Sequence, residues 1–269
     1  MTKEAFQLNA SAASVYEEQK VKAMFGPLAK AILELVNITK DDRILDIACG
    51  TGIVSRMIHE NVAPHATLTG VDVNESMLNL ARQVTEDRKN AFSWHLGDVA
   101  DLPFKSSSFT AVFCQQGIQY FPDEGIALKE MRRVLVTKGQ LIMSVWGGAS
   151  DFFIAMADSV SKHINADLGA TYLSPFSYNN IRQLPMMLET AEFKSVSIEE
   201  IIVDRVVRDT NLSIPKEILG HPAGHRVQVA GEEVVQAIAN DVSAACAQYQ
   251  VGADMVVPQR AFLIQAKAA

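Results

Sequence analysis

The sequence lacks the features that define several large classes of protein. It has only three cysteines, which are widely spaced and give neither a disulfide framework nor the paired spacing of a zinc site. No apolar run approaches the roughly 18 residues that a membrane-spanning helix needs, and the first residues hold no signal-peptide core. We therefore expect a soluble, cytoplasmic protein with reduced thiols and no stable membrane insertion.

Positive charge is also scarce. The chain has 24 basic against 31 acidic residues, which gives a net charge of -7 at pH 7. No broad cationic surface is therefore available to neutralise phosphates, and nucleic acid is not expected as a partner. The length of 269 residues and a hydrophobic content of 48% are those of an ordinary globular protein, and we predict one domain over 1–269.

The hydrophobic pattern alternates between short strands and amphipathic helices. It predicts a strand over 43–47, a helix over 52–61, a strand over 67–73 and a helix over 76–85, and the alternation continues to Trp146. Right-handed crossovers place such helices on both faces of a parallel sheet. The predicted fold class is therefore α/β, doubly wound, with its core at 43–146.

The segments on either side of this core follow other patterns. Helical spacing over 1–42 predicts one or two N-terminal helices with a break at Gly26 and Pro27. Helical insertions are predicted over 147–191 and 208–254, on the acceptor side of the sheet, where they form a lid. The strands "KSVSIEEIIVDRVV" and "MVVPQRAFLIQAKA" flank the second insertion and are predicted to pair antiparallel at the sheet edge.

The stretch "ILDIACGTGIVSRMIHE", from Ile44, predicts a ligand site. Gly50 and Gly52 lie between the first strand and its helix. Glycine lets the backbone turn sharply there and approach a ligand, and the first turn of the helix offers free N–H groups to a carboxylate or phosphate. In open α/β sheets, ligands bind beyond this end of the strands.

Two carboxylates follow the next strands along the same rim. Asp72 ends the second strand, where an acidic side chain accepts hydrogen bonds from both hydroxyls of a ribose. Asp98 follows the third strand and is suited to accept from an exocyclic amine such as that of adenine. The joint placement of the two carboxylates predicts an adenine nucleoside.

Two residues near the glycine turn indicate that the ligand carries no pyrophosphate. Ser55 stands where the dinucleotide fingerprint has its third glycine, Asp46 adds negative charge, and no Walker loop follows. A phosphate-free ligand with an amino-acid end fits better, because Asp46 then faces an amine and the N–H groups around Thr51 face a carboxylate. S-adenosylmethionine is such a ligand. A nicotinamide-dependent oxidoreductase and a non-catalytic, cofactor-binding regulatory protein remain as alternatives.

Five motifs in order carry a resemblance to a known family. They are "ILDIACGTG", "GVDVNESML", "GDVADLPF", "FTAVFCQQGIQYFPD" and "EMRRVLVTKGQLIMSVW". Together they resemble the class I S-adenosylmethionine-dependent methyltransferases, in the branch of the ubiquinone and menaquinone methyltransferases (methyltransferase type 11). The resemblance implies a seven-stranded Rossmann-like sheet with an antiparallel last strand, and S-adenosylhomocysteine as the product.

The resemblance also implies which residues contact the cofactor. Those of the first turn would wrap the methionine part: Ala48, Cys49, Gly50, Thr51 and Gly52. Asp46, in the strand before this turn, is predicted to lie near the amine of the same ligand. Those after the second and third strands would hold the nucleoside, with Asp72 on the ribose, Val73 and Met77 beside the adenine, and Gly97, Asp98 and Val99 at its amine edge. The remaining contacts would be Gln115 and Gln116, where the acceptor enters, and Tyr16 in the N-terminal helices.

The implied reaction is methyl transfer to a small, partly apolar organic acceptor through an O, N or C atom. The cofactor is already activated, so alignment and exclusion of water are the main tasks of the protein. If a general base is used, the candidates are His163, His221, His225 and Tyr178. Pro222 and Gly224 break the helical face that a metal pair at His221 and His225 needs, so no metal is expected. The expected assembly is a monomer or homodimer.

Apolar side chains of the predicted lid supply candidates for the acceptor pocket. We expect only some of them to face a ligand, because core packing explains most such residues equally well. The candidates are Phe152, Phe153, Met156, Tyr172, Phe176, Tyr178, Met186 and Met187.

Overall fold

A twisted sheet forms the centre of the protein in a computed structural model that describes residues 9–269. The strands are β1 Arg43–Ile47, β2 Thr67–Asp72, β3 Phe92–Leu96, β4 Phe109–Gln115, β5 Leu135–Trp146, β6 Phe193–Val207, β7 Gln250–Val251 and β8 Asp254–Ala268. Their order is β3-β2-β1-β4-β5-β8-β6, with the short β7 paired to β8. β1 to β5 pair in parallel, whereas β8 runs antiparallel to both β5 and β6. The predicted doubly wound sheet with an antiparallel last strand is confirmed.

Helices cover both faces of the sheet. The α-helices are α1 Ala10–Val15, α2 Gly26–Leu35, α3 Ile53–Asn61, α4 Glu75–Val84, α5 Glu124–Val134, α6 Asp151–His163, α7 Ala166–Leu173, α8 Leu184–Thr190, α9 Thr210–Leu219, α10 Gly224–Val229 and α11 Glu232–Ala245. A π-helix spans Tyr16–Phe25, and short 3₁₀ turns span Glu86–Ala91, Ile118–Tyr120, Ser174–Phe176, Asn180–Arg182 and Ala247–Tyr249.

The predicted break at Gly26 and Pro27 is wrong. Gly26 has helical dihedral angles (φ -66°, ψ -54°), so helical turns continue from Ala10 to Leu35. Pro27 donates no backbone hydrogen bond, and it stands directly after the junction between the π-helix and α2, where the hydrogen-bond register changes. What changes at Gly26 is the hydrogen-bond pattern, from the wider π-helix to the α-helix. The N-terminal segment is therefore one continuous arm.

The buried side chains form three clusters. One lies between the sheet and the helices α5 and α8, and a second lies between the opposite face and the helices α2 and α3. The third joins α6, α7, α9, α10 and α11 to the ends of β6 and β8, and contains Phe152, Tyr172 and Ile238. The helices of the two insertions therefore pack on one another as a separate layer above the carboxyl end of β5.

Candidate cofactor and acceptor site

The turn after β1 is built from left-handed backbone. Ala48, Gly50 and Gly52 have φ values of 53°, 55° and 80°. Such angles suit glycine, but they are strained in an alanine and in Gln116, whose φ is 57° just after β4. Because β1 and β4 are neighbours in the sheet, the two strained non-glycine residues lie at the carboxyl ends of adjacent strands. Strain of this kind concentrates at functional sites.

Packing explains why one of the two glycines cannot be replaced. A methyl group at Gly52 would come within 2.3 Å of the Trp94 ring, and one at Gly70 would meet the same ring at 2.3 Å. Trp94 therefore lies across β2 and supports the turn from below, a role that sequence reasoning missed. At Gly50 the nearest atom would be 3.7 Å away, so only its backbone angle favours glycine there.

Asp72 ties the turn to the end of β2. One carboxylate oxygen accepts a hydrogen bond from the Gly50 N–H at 2.8 Å, and the other accepts from the Asn74 N–H at 2.8 Å. Burial raises the pKa of this carboxyl. Met77 is buried beside Gly50, and Val73 is 40% exposed next to Asp72. The structure thus brings four of the predicted cofactor residues together.

Asp46 is the second buried carboxylate of this region. It is 1% exposed and accepts hydrogen bonds from the Ser55 hydroxyl at 2.9 Å and from the Ser55 N–H at 3.3 Å. Ser55 belongs to the first turns of α3, so the contact fastens that helix to β1. Burial raises the pKa of Asp46 to about 7. No salt bridge joins this carboxylate to a cation within residues 9–269.

The segment after β3 lies against the same rim. The Gly97 N–H donates to the backbone oxygen of Asp72 at 3.0 Å, which joins this segment to the end of β2. Asp98 then caps a turn by accepting from the Ala100 N–H at 3.0 Å, and Val99 is buried. The segment that contains the three residues predicted at the adenine edge therefore lies next to Asp72.

Three buried side-chain oxygens in this region lack a hydrogen-bond partner among the described residues. They are Thr51 Oγ1, Gln115 Oε1 and Gln116 Oε1. The amide nitrogen of Gln115 donates to the backbone oxygen of Phe25 at 3.1 Å, which leaves its oxygen free to accept. Buried polar atoms are nearly always paired in native proteins. These oxygens therefore fit a ligand that donates hydrogen bonds, as an ammonium group does.

The N-terminal arm covers the turn. The Tyr16 hydroxyl lies 3.7 Å from the position that a methyl group on Gly50 would occupy. Burial, and then the charge of Asp72, raise the pKa of Tyr16. Glu17, the next residue, forms a 2.8 Å ion pair with Arg56 of α3, and both side chains are largely buried. Tyr16 is therefore fixed at the cofactor turn by a contact between the arm and α3.

Comparison with known sequences agrees with this geometry. Residues 44–139 match a family model described as a methyltransferase domain. These residues form a class I S-adenosylmethionine-dependent methyltransferase domain. The resemblance drawn from the sequence motifs is thereby confirmed, and S-adenosylmethionine is the cofactor of this class of domain. The match covers a little over a third of the chain, namely the predicted cofactor-binding core.

Relatives of the methyltransferase domain include quinone-modifying enzymes. The chain is 34% identical over 113 residues to the demethylmenaquinone methyltransferase of Staphylococcus aureus strain JH9, which is 42% of this chain and 46% of that protein. The same match recurs with the protein from strain Newman. The matched segment thus spans about half the length of these curated relatives.

Solved structures share the fold of the whole chain. Phosphoethanolamine N-methyltransferase 2 of Haemonchus contortus, in complex with S-adenosyl-L-methionine, has a TM-score of 0.62 at 20% identity, over 98% of this chain and 58% of that one. The [4+2]-cyclase SpnF has a TM-score of 0.55 at 19% identity, over 91% of this chain and 81% of that one. At such identities the likeness establishes the fold and not the reaction.

The structure separates the candidate bases. His163 contacts the Asp241 carboxylate at 2.9 Å, between α6 and α11, and His225 is exposed on α10. The Tyr178 hydroxyl donates to Glu124 at 2.8 Å, and burial, followed by this hydrogen bond, raises the pKa of the tyrosine. The structure thus places these three side chains in three different parts of the protein.

His221 lies in yet another environment. Its ring stacks on Tyr172 with centroids 3.9 Å apart, and its Nδ1 accepts from the Ala223 N–H at 3.1 Å. Burial, and then the nearby charge of Lys20, lower the pKa of His221 to about 4. The imidazole is therefore neutral at neutral pH.

A row of aromatic rings leads away from the cofactor turn. Adjacent ring centroids are separated by 5.2, 6.0, 6.1 and 4.4 Å, in the order Tyr16, Phe25, Trp146, Phe176 and Phe153. We call these five residues the aromatic row. It includes two of the predicted pocket residues, and it starts at Gly50 and ends under the inserted helices.

The other predicted pocket residues are dispersed. Phe152, Met156 and Tyr172 lie in the core of the inserted helices. Tyr178 and Met187 pack against the cluster beneath α5 and α8 instead, whereas Met186 is 65% exposed. Sequence reasoning could not separate these cases because all of them are apolar residues at helical spacing.

A buried arginine lies at the far end of the aromatic row. Arg205 is fully buried, and its guanidinium carbon lies 4.7 Å from the Phe153 ring centroid and 5.1 Å from that of Phe152. Sequence reasoning missed it. The sequence does indicate its burial, because side chains alternate between the two faces of a strand and Arg205 therefore shares the inward face of Val203 and Val207 at the end of β6.

Residues 9–269 contain neither a helix suited to span a membrane nor a cluster of three or more metal-ligating side chains. No helix there is long and apolar enough to cross a membrane. No group of three or more His, Cys, Asp or Glu side chains in that range is arranged to hold a metal ion. The three cysteines in it are buried and unpaired.

Proposed function

We propose that the protein transfers a methyl group from S-adenosylmethionine to a small, partly apolar organic acceptor. The observation that carries the proposal is the contact of Asp72 with Gly50 inside a matched methyltransferase domain, which sets a carboxylate beside a strained, glycine-rich turn. The alternatives are not favoured: Ser55 is bound to Asp46 at the position where a dinucleotide site has a small residue against the strand.

The residues of the rim fit the parts of this cofactor. The carboxylate of Asp72 accepts backbone hydrogen bonds that include those from Gly50 and Asn74, and a carboxylate with about four lone-pair sites can also accept from a ribose hydroxyl. The unpartnered oxygens of Thr51, Gln115 and Gln116 supply acceptors for the ammonium group. Val73 and Met77 would contact the adenine, and Asp98 with Val99 would meet its amine edge.

When bound, the cofactor supplies a methyl group that is already activated by its sulfonium. The chain then has to hold the acceptor in line and keep water out, which is worth roughly 7–11 kcal/mol of the barrier when reactants are well oriented. The arm of Tyr16 and Phe25 closes this region from one side. Amine and phenolate acceptors carry a lone pair of their own and need no protein base.

Two measurements test the proposal. Titration calorimetry should show micromolar binding of S-adenosylhomocysteine and no binding of nicotinamide dinucleotides. Release of S-adenosylhomocysteine should then appear with at least one acceptor from a panel of quinols, phenols and amines, quinols being included because of the demethylmenaquinone methyltransferase relatives. Tight nicotinamide binding would overturn the cofactor assignment. Cofactor binding without turnover on any acceptor would favour a regulatory role.

A further inference from the structure

Two cations share one carboxylate beneath the inserted helices. Arg205 of β6 donates through Nη2 to Oε1 of Glu217 of α9, and Glu217 is only 7% exposed. Lys20 lies one turn before Met24 on the π-helix, and Met24 contacts Arg205, so Lys20 is held on the side of the arm that faces this pair. Burial, opposed by the charge of Glu217, lowers the pKa of Lys20. No hydrogen bond to Lys20 Nζ is formed within residues 9–269. We call Lys20, Arg205 and Glu217 the cation cluster.

The cation cluster has positive charge in excess. His221 is adjacent to Lys20, but it is neutral at neutral pH because its pKa is lowered to about 4. One carboxylate therefore faces two cations. Arg205 Nε has no partner within the described residues, and its Nη1 contacts only the sulfur of Met24, a weak acceptor. An uncompensated buried charge is costly, and apart from the Nη2 bond to Glu217 the donors of this cluster have no anionic oxygen to bind within residues 9–269.

The cation cluster is joined to the methyl-transfer region by apolar surface. The aromatic row begins with Tyr16 at Gly50 and ends with Phe153, whose ring lies 4.7 Å below the Arg205 guanidinium. Lys20 and Tyr16 lie one helical turn apart on the same π-helix. A molecule lying along this row would thus have one end near the cofactor turn and the other near two cations.

We propose that Lys20 and Arg205 bind a carboxylate on the methyl acceptor, whose apolar body lies along the aromatic row. The inference rests on the proposed function and adds the class of acceptor, an apolar or aromatic acid. The charge selects a carboxylate over a phosphate, because one negative charge neutralises the cluster while Glu217 stays in place, whereas a dianion overcompensates it. Arginine and lysine together provide the charge-assisted hydrogen bonds that such an anion needs.

A binding experiment tests the inference. Wild-type protein saturated with S-adenosylhomocysteine is titrated with 4-hydroxyphenyl alkanoates of increasing chain length and with their carboxamides. At least one acid should bind about tenfold or more tightly than its amide, since charged hydrogen bonds are gained. Lys20→Gln should reduce this preference to less than threefold. Lys22→Gln, an exposed residue of the same π-helix, is the matched control and should keep it.

The outcomes separate the inference from the proposed function. If S-adenosylhomocysteine binds but every acid binds no better than its amide, or if the preference survives in Lys20→Gln, the carboxylate site is overturned while the cofactor site stands. Failure of S-adenosylhomocysteine to bind overturns the cofactor site itself.

A second measurement needs no ligand. If the excess charge serves binding, Lys20→Met should raise the melting temperature of the free protein by several degrees, because Arg205 and Glu217 are then left as a balanced pair. A lysine that merely supports the fold would give a lower melting temperature on the same substitution, and that result would count against the inference.

Discussion

The backbone N–H of Gly50 donates a 2.8 Å hydrogen bond to the carboxylate of Asp72, 22 residues further along the chain. Gly50 belongs to the turn after β1 and Asp72 to the end of β2, so the contact fixes two neighbouring strand ends against each other. The same carboxylate has lone pairs left for a ligand. The carboxylate of Asp72 can therefore stabilise the turn and bind a ligand at the same time.

Asp72→Ala should weaken the binding of S-adenosylhomocysteine by about 1–3 kcal/mol, the usual cost of losing a hydrogen-bonding partner. Titration calorimetry measures the change. Asp87→Ala, which alters an exposed carboxylate outside this rim, is the control and should bind as the wild type does. An unchanged affinity in Asp72→Ala would remove the ribose assignment.

Gly52→Ala should destabilise the protein more than Gly252→Ala. Both glycines have positive φ, which costs an alanine roughly 1 kcal/mol, but only Gly52 faces the Trp94 ring at 2.3 Å, whereas Gly252 faces open space. Urea unfolding of both variants gives the comparison. The steric part should shrink when Gly52→Ala is combined with Trp94→Ala, and additive effects of the two changes would show that the ring is not the cause.

The stability of the free protein should fall as the pH rises from about 4 to about 7 because of Asp46. The pKa of this buried carboxyl is raised to about 7, so the folded state holds a proton that the unfolded state has already released. Its contribution is fully present below the ordinary carboxyl pKa and is lost as the pH passes through about 7. Melting temperatures of wild type and Asp46→Asn across this range check the sign, and the variant should show the flatter profile. Parallel profiles would contradict the assignment.

Glu217→Gln should destabilise the protein by about 3–5 kcal/mol, since it leaves two buried cations without their carboxylate. Chemical denaturation measures the loss, and Glu233→Gln, on the exposed side of α11, is the control. Addition of Lys20→Met to Glu217→Gln should restore part of the stability, because one of the two charges is then removed. No rescue would mean that Lys20 does not interact with the cation cluster.

The predicted part of the site depends on local order along the chain. Gly50 follows one strand and Asp72 ends the next, and the ends of parallel strands must meet at one edge of the sheet. This reasoning predicted that Gly50 and Asp72 lie together without any knowledge of packing, and their hydrogen bond confirms that proximity. It was wrong at Gly26, where a glycine and a proline that predict a break lie inside a continuous helical arm, at the point where the hydrogen bonds change from the π-helical to the α-helical pattern.

The sequence by itself determined the parallel α/β sheet, the strained turn and the two carboxylates behind it, since these follow from hydrophobic periodicity and from the positions of glycine and aspartate. The packing of distant segments decides that Tyr16 covers Gly50, that Trp94 supports Gly52, and that Arg205 meets Glu217. These contacts join segments far apart in the chain. Which side chains meet there is set by how the arm and the inserted helices pack on the sheet, and packing leaves no periodic mark in the sequence.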